Sequence, residues 1–163
     1  MTDTLTAAKR SWNMSRIRAQ DTAPERAVRS LLHRLGFRFR LHAKRLPGKP
    51  DIVLAKHRAV VLVHGCFWHR HPGCHYATTP GTRAEWWQAK FARNVQRDAE
   101  VRIALATADW RVLTVWECEL RSPDVLAARL LQFLRAAPAY PAAPAALLEA
   151  AEAPAAYRTP SHS

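Results

Sequence analysis

Apolar residues at Val28, Leu31, Leu32 and Leu35 recur with the spacing of one helical face. Ahead of them stands Asp21-Thr22-Ala23-Pro24-Glu25, a helix start with a polar cap, a proline in the first turn and an acidic residue to meet the dipole. Gly36 closes this helix. The period then changes. Phe37-Arg38-Phe39-Arg40-Leu41 alternates apolar and basic side chains, which predicts a half-buried strand. A turn at Leu46-Pro47-Gly48-Lys49-Pro50 leads into a second strand, Asp51-Ile52-Val53-Leu54. After a turn of two to three residues, the continuous apolar run from Ala59 to Val63 predicts a central strand buried on both faces. Arg83 to Ala108 is helical in composition, with Trp87, Phe91, Val95, Val101 and Leu105 among its apolar positions. Trp110 to Trp116 reads as a further strand and Pro123 to Arg135 as a last helix. Helix, three strands, helix, strand, helix predicts one α/β domain over residues 21–135, a mixed sheet flanked by helices.

Residues 1–20 carry Lys9, Arg10, Arg16 and Arg18 with weak periodicity, and read as a basic N-terminal arm or short helix. Residues 136–163 read as a tail: from 136 to 156, 12 of 21 residues are Ala and 4 are Pro, low-complexity sequence expected to be disordered or loosely helical. At 163 residues the chain is long enough for one domain with a real core and short for two. No apolar run approaches the roughly 20 residues that cross a bilayer, and the start has no apolar signal core, so a cytoplasmic protein is expected.

Charge narrows the partner. The chain holds 25 Lys+Arg against 13 Asp+Glu, a formal net of +12. Residues 1–121 account for all of it, with 22 basic and 10 acidic side chains, whereas residues 122–163 are balanced. A cationic body of this kind points to a polyanion, nucleic acid before an anionic membrane.

Three cysteines speak against a disulfide framework. Cys66, His71 and Cys74 lie close together, and Cys118 follows the last strand. Three thiolates and an imidazole are the ligands of a closed, structural tetrahedral zinc site. The loop from 65 to 82 has few aliphatic residues, so metal binding would supply its order. His69 and His75 compete with His71 for the fourth position, and spacing does not decide. A zinc deaminase needs His-x-Glu and Pro-Cys-x-x-Cys; neither pattern occurs.

A short hairpin between the second and third strands would bring Asp51, the main-chain carbonyl of Val63 and His64 together, a setting for a hard divalent ion such as Mg2+. His69, if free of zinc, is a natural base for water. Glu25 also serves as a first-turn carboxylate, and Asp98 pairs helically with Asn94 and Arg102 on what reads equally as a solvated face. Phe67 and Trp68 sit inside the metal loop, and Trp86 and Trp87 follow near Lys90, Arg93 and Asn94. Aromatics among cations suit stacking on bases or wedging between base pairs; core packing is the competing role for one of Trp86 and Trp87.

Five blocks occur in order between Ser11 and Leu120: NMSRIRAQDTAPE (13–25), LPGKPDIVL (46–54), VHGCFWHRH (63–71), NVQRD (94–98) and WRVLTVWECEL (110–120). In these the chain resembles the very short patch repair endonucleases, the Vsr family of bacterial mismatch-nicking enzymes. The resemblance implies a restriction-endonuclease-like fold and nicking of one strand 5′ to the thymine of a T·G mismatch left by deamination of 5-methylcytosine. It implies that Asp51 is the Mg2+ ligand beside the backbone carbonyl of Val63, with two ions at the scissile phosphate. Glu25 and His64 resemble the partners of metal-bound waters, and His69 the general base oriented by Asp98. Cys66, His71, Cys74 and Cys118 match the family's structural zinc site. Phe67, Trp68 and Trp87 resemble aromatics that wedge into DNA from the major groove, with Met14 and Ile17 facing them from the minor groove. Lys90 and Asn94 match positions near the mismatch. The resemblance further implies a monomer at the nucleoid that acts on double-stranded DNA and contacts mismatch-repair proteins such as MutL.

Two departures stand out. The histidine run is interrupted as His69-Arg70-His71-Pro72-Gly73-Cys74, and Val63 replaces a hydroxyl residue of some relatives, which leaves only main-chain ligation there. Two other functions compete. A restriction enzyme that cuts intact sites would carry a Lys two or three residues past a second acidic ligand, which is missing. A zinc-stabilised DNA-binding module without catalysis would not need Glu25, Asp51, His64, His69 and Asp98 together.

Overall fold

In the computed structural model, the described residues are 20–136 together with Thr6, Ala8, Lys9 and Trp12. The N-terminal arm, with Met14 and Ile17, and the Ala/Pro-rich tail therefore lie almost wholly outside the described residues. Helix α1 (Ala23–Arg34) starts where expected: the Thr22 side chain caps it by accepting from the Glu25 N–H, and Pro24 lies in its first turn. Val28, Leu31 and Leu32 form its buried stripe. Gly36, at φ +86°, takes the left-handed turn that ends it.

Among the described residues the sheet has four strands in the order β1-β2-β3-β4. Strand β1 (Arg40–Leu41) and β2 (Ile52–Leu54) pair antiparallel, Arg40 opposite Val53. The strand predicted from Phe37 forms a ladder only at its last two residues. Part of the reason is its partner: β2 gives way after Leu54 to a 3-10 turn, Ala55–His57, and in this register Arg38 and Phe37 fall opposite that turn. Phe37 is buried in the core all the same, and Phe39 stacks on His33. The link from β2 to β3 (Ala59–His64) is longer than predicted, the 3-10 turn plus Arg58 in the left-handed region. Strand β3 pairs antiparallel with β2 and parallel with β4 (Arg111–Trp116). The crossover between β3 and β4 carries helix α2 (Ala84–Thr107), and helix α3 (Pro123–Arg135) follows β4.

Both faces of the sheet are covered, which is why β3 is an unbroken apolar run. On one face Ile52, Leu54, Ala59, Val61 and Val115 meet Val28, Leu31 and Leu32 of α1 and Leu126, Leu130 and Leu134 of α3. On the other, Val53 and Val60 meet Leu105 and Val101 of α2. This is the predicted mixed sheet flanked by helices.

The turn before β2 is pinned under α2. Gly48 has φ +71°, and a Cβ there would overlap both methyls of Val101. Gly48→Ala should therefore destabilise the protein by roughly 1–3 kcal/mol through left-handed strain and overpacking. In a Val101→Ala background the same change should cost less, because the overlap is gone and the backbone strain remains. Urea denaturation of the four proteins checks this.

Candidate active site and metal-binding cluster

The site forms at the C-terminal end of β3. Asp51 immediately precedes β2, and antiparallel pairing carries it alongside the last residues of β3. There its Oδ2 accepts the Val63 N–H at 2.8 Å. Burial pushes the Asp51 carboxyl above its ordinary range; the Val63 hydrogen bond and the nearby His42 and His69 work against that, and the Glu25 charge adds to it. His64 closes β3 and is buried. Burial, reinforced by His69, holds His64 down at about 4, so it is uncharged at neutral pH.

Its ring stacks on His69, with centroids 3.9 Å apart and planes 11° from parallel. His69 Nδ1 lies 2.6 Å from Asp98 Oδ2. Asp98 is thus a half-buried partner of the loop and not part of a solvated helix face. With Nδ1 committed as a donor to the carboxylate, the remaining ring nitrogen, Nε2, carries the basic lone pair. His69, His64 and Asp98 come together as a set; Asp51 approaches from the β2 side.

Glu25 borders this set from α1. It is 3% exposed and fully engaged on one oxygen: Oε2 accepts from the Asp21 N–H at 3.0 Å and from Arg29 Nη2 at 2.8 Å. Its Oε1 takes the Thr22 hydroxyl at 2.9 Å. Arg29 and His42 around it were not foreseen in the sequence. The i to i+4 spacing of Glu25 and Arg29 is a readable signal; His42, thirteen residues beyond Arg29, offers none.

The second cluster gathers Cys66, His71, Cys74 and Cys118, with one ligand atom from each within 4.8 Å of all the others. His71 Nδ1 stands 3.7 Å from Cys66 Sγ and 3.3 Å from Cys118 Sγ. Around a tetrahedral ion with sulfur at about 2.3 Å and nitrogen at about 2.0–2.1 Å, the two atoms sit about 3.6 Å apart. The donor set therefore fits a bound metal ion. Burial pushes the Cys66 thiol up to about 12, so a thiolate there needs a cation beside it. The loop is shaped for this by turns: His71 N–H to Cys66 C=O, Cys74 N–H to His71 C=O, and Gly73 at φ +70°. Cys118 comes from the 3-10 turn directly after β4. Of the three competing histidines, His71 lies beside the sulfurs, His69 faces Asp98, and His75 is exposed against Tyr76.

Between loop and α2 lies a pile of aromatic rings. Phe67 meets Trp68, Trp87 and Phe91 edge-on at 5.1–5.6 Å. Of the two tryptophans on α2, Trp87 is the packed one at 6% exposure, and Trp86 is 47% exposed. Lys90 Nζ lies 5.1 Å from the Trp68 ring and 5.0 Å from the Trp86 ring. Asn94 Nδ2 donates to the Trp68 carbonyl at 3.1 Å, tying the loop to the helix.

Comparison with known proteins follows the same lines. The family profile described as DNA mismatch endonuclease Vsr matches residues 2–75. The type II nicking enzyme V.XorIIP of Xanthomonas oryzae is 49% identical over 134 residues, 82% of this chain and 98% of that one. The DNA mismatch endonuclease Vsr of Escherichia coli is 44% identical over 126 residues, 77% of this chain and 80% of the other. The type II nicking enzyme V.NmeAIP of Neisseria meningitidis is 41% identical, with 83% and 96% covered. Among solved structures, the catalytic domain of the homing endonuclease I-Bth0305I is similar at a TM-score of 0.48 and 21% identity, covering 69% of this chain and 94% of that chain.

The split between the two imidazoles has a direct check. His71→Ala should lower the metal content of the purified protein and His69→Ala should leave it at the wild-type value. Elemental analysis of both variants decides; loss of metal on changing His69 would reverse the assignment.

Proposed function

This chain belongs to the Vsr family of DNA mismatch endonucleases, and from that premise we propose that it nicks one strand 5′ to the thymine of a T·G mismatch by Mg2+-dependent hydrolysis of a phosphodiester. That it is a DNA-nicking endonuclease follows from the family; the T·G preference, the metal and the roles below are our reading. The observation that carries the reading is the 2.6 Å pairing of His69 with Asp98 near the half-buried Asp51. Asp98 fixes the ring so that Nε2 can take a proton from an attacking water. Asp51 and the main-chain carbonyl of Val63 would hold Mg2+, two ions at the scissile phosphate; when bound, they offset its charge. His64, uncharged, and Glu25 would hydrogen-bond water beside Asp51.

Cys66, His71, Cys74 and Cys118 would hold one zinc, a closed site that orders the loop and takes no part in hydrolysis. Phe67, Trp68 and Trp87 would enter the mismatched stack with Met14 and Ile17 opposing them, and Lys90 and Asn94 would lie near the mispaired bases. The cationic body supplies backbone affinity that is blind to sequence and falls steeply with salt. The reading takes residues 21–135 as the endonuclease domain, 1–20 as a DNA-binding arm, and 136–163 as a tail without an assigned role. It places a monomer in the cytoplasm, at the nucleoid, with mismatch-repair proteins such as MutL as contacts. No helix among the described residues is long and apolar enough to cross a membrane.

Matched, T·G and other mismatched duplexes incubated with Mg2+ and scored for single-strand nicks should show cleavage of the T·G duplex alone. Asp51→Asn should abolish it, with little rescue by excess Mg2+. His69→Ala should cost about 10²–10⁴-fold in rate, the worth of a general base, with residual nicking that rises with pH as hydroxide substitutes. Wild-type nicking by His69→Ala would remove that residue from the mechanism.

Trp68→Ala should weaken binding to T·G duplexes by roughly 1–3 kcal/mol, the scale of one stacking contact. Binding to matched duplexes should change less, because backbone charge dominates there. Equal losses in a titration of both would assign Trp68 to packing within the protein.

A further inference from the structure

Glu25 is a carboxylate that the fold has removed from water, and a charge so placed needs a partner. The partner is Arg29, one turn along α1, whose side chain is itself only 12% exposed. Arg29 spreads its donors over three groups. Nη1 meets Asp21 Oδ1 at 2.5 Å, and Nη2 meets both Glu25 Oε2 at 2.8 Å and His42 Nε2 at 3.2 Å. The same His42 nitrogen lies 3.6 Å from Asp21 Oδ1. The Arg29 Nε–H is buried and finds no hydrogen-bond partner among the described residues.

The acceptor arithmetic shows what this arrangement does. A carboxylate offers about four acceptor positions, two on each oxygen. On Oε2 both are taken, by the Asp21 N–H and by Arg29. On Oε1 one is taken, by the Thr22 hydroxyl. A single acceptor position remains. Thr22 and Asp21 are set at the helix cap, and Arg29 closes the cage from one turn along the helix.

We propose that Arg29 is a positioning residue for Glu25: it closes Oε2, keeps the buried carboxylate in one orientation, and leaves Oε1 as the only oxygen able to serve the reaction. The inference rests on the reading above that Glu25 works at the site. Arg29 touches neither DNA nor the reacting atoms in this scheme. It acts only through Glu25, and His42 steadies it from the other side.

The test is a double-mutant cycle on nicking rate at saturating enzyme and on thermal unfolding, with Glu25→Gln, Arg29→Met, the pair together, and Arg29→Lys. Arg29→Met should slow nicking about 10–100-fold, as loss of an orienting partner does, with duplex affinity unchanged. It should lower the unfolding temperature, and Glu25→Gln in the same protein should restore much of that, since the stranded charge is gone. Adding Arg29→Met to Glu25→Gln should cost no further rate, and Arg29→Lys should recover part of both readouts. Wild-type nicking by Arg29→Met, or independent losses that multiply in the double variant, would overturn the inference while leaving Glu25 in place. Wild-type nicking by Glu25→Gln would instead overturn the role of Glu25, whatever Arg29 does.

Discussion

Strand β3 is buried on both faces, and no polar side chain can be carried along it without a partner. Chemistry can begin only where the strand ends, and the site is built there. The Val63 amide reaches Asp51, and His64 closes the strand. Cys66, two residues on, leaves the sheet for the sulfur cluster. Parallel pairing with β4 sets His64 opposite Trp116, with Cys118 just after it. One strand end thus fixes the start of both the histidine–carboxylate set and the metal-binding cluster. A shift of register by one residue would move His64 to the other face and separate the two.

The two clusters share a wall. Trp116 meets His64 edge-on at 5.4 Å and stacks on His71 at 4.2 Å, so one indole backs an imidazole of each. His69 and His71 leave the same loop in different directions, one to Asp98 and one to the sulfurs. The short aliphatic-poor loop could not hold that division by burial of its own residues. It is held at three points: the cysteines, the Asn94 bond to the Trp68 carbonyl, and Arg70, which bonds Thr78 and Thr79 and lies over Phe91. A metal ion held by the cysteines and His71 would therefore help to fix the position of the proposed base.

What was legible in the sequence was whatever has a short-range cause. The start of α1 follows from a cap, a proline and an apolar stripe, and that of α3 from a proline and an apolar stripe; β3 follows from its unbroken apolar run. Asp51, His64 and Cys66 were legible because strand ends are where polar groups can stand. What was not legible depends on contacts between distant segments. That His69 faces away from the sulfurs goes with Asp98 on α2, which can be placed against the loop only once α2 is laid across the sheet. Arg38 and Phe37 are left out of β1 because their places opposite fall in the 3-10 turn after β2. Trp86 and Trp87 are adjacent and alike in composition, and only the packing of α2 selects which of them is covered. His42 reaches Arg29 from a turn after β1, in the left-handed region at φ +47°, a conformation that no local pattern announced.

The aromatic pile bears on selectivity in a way that charge does not. A body of net +12 binds any duplex, so discrimination must come from a step whose cost depends on the bases. In this structure Phe67 and Trp68 already touch Trp87, and Trp87 is covered. For the proposed wedge, entering DNA exchanges these ring contacts for base contacts of similar kind, an exchange that is close to neutral. What is left is the cost of opening the stack, a few kcal/mol per base step in paired DNA and less where a mismatch has already loosened it. The tighter the pile is packed on itself, the less surplus it has to spend on opening a matched pair. A well-packed resting wedge is in this sense the selective one, since only a duplex that is already weak makes insertion favourable.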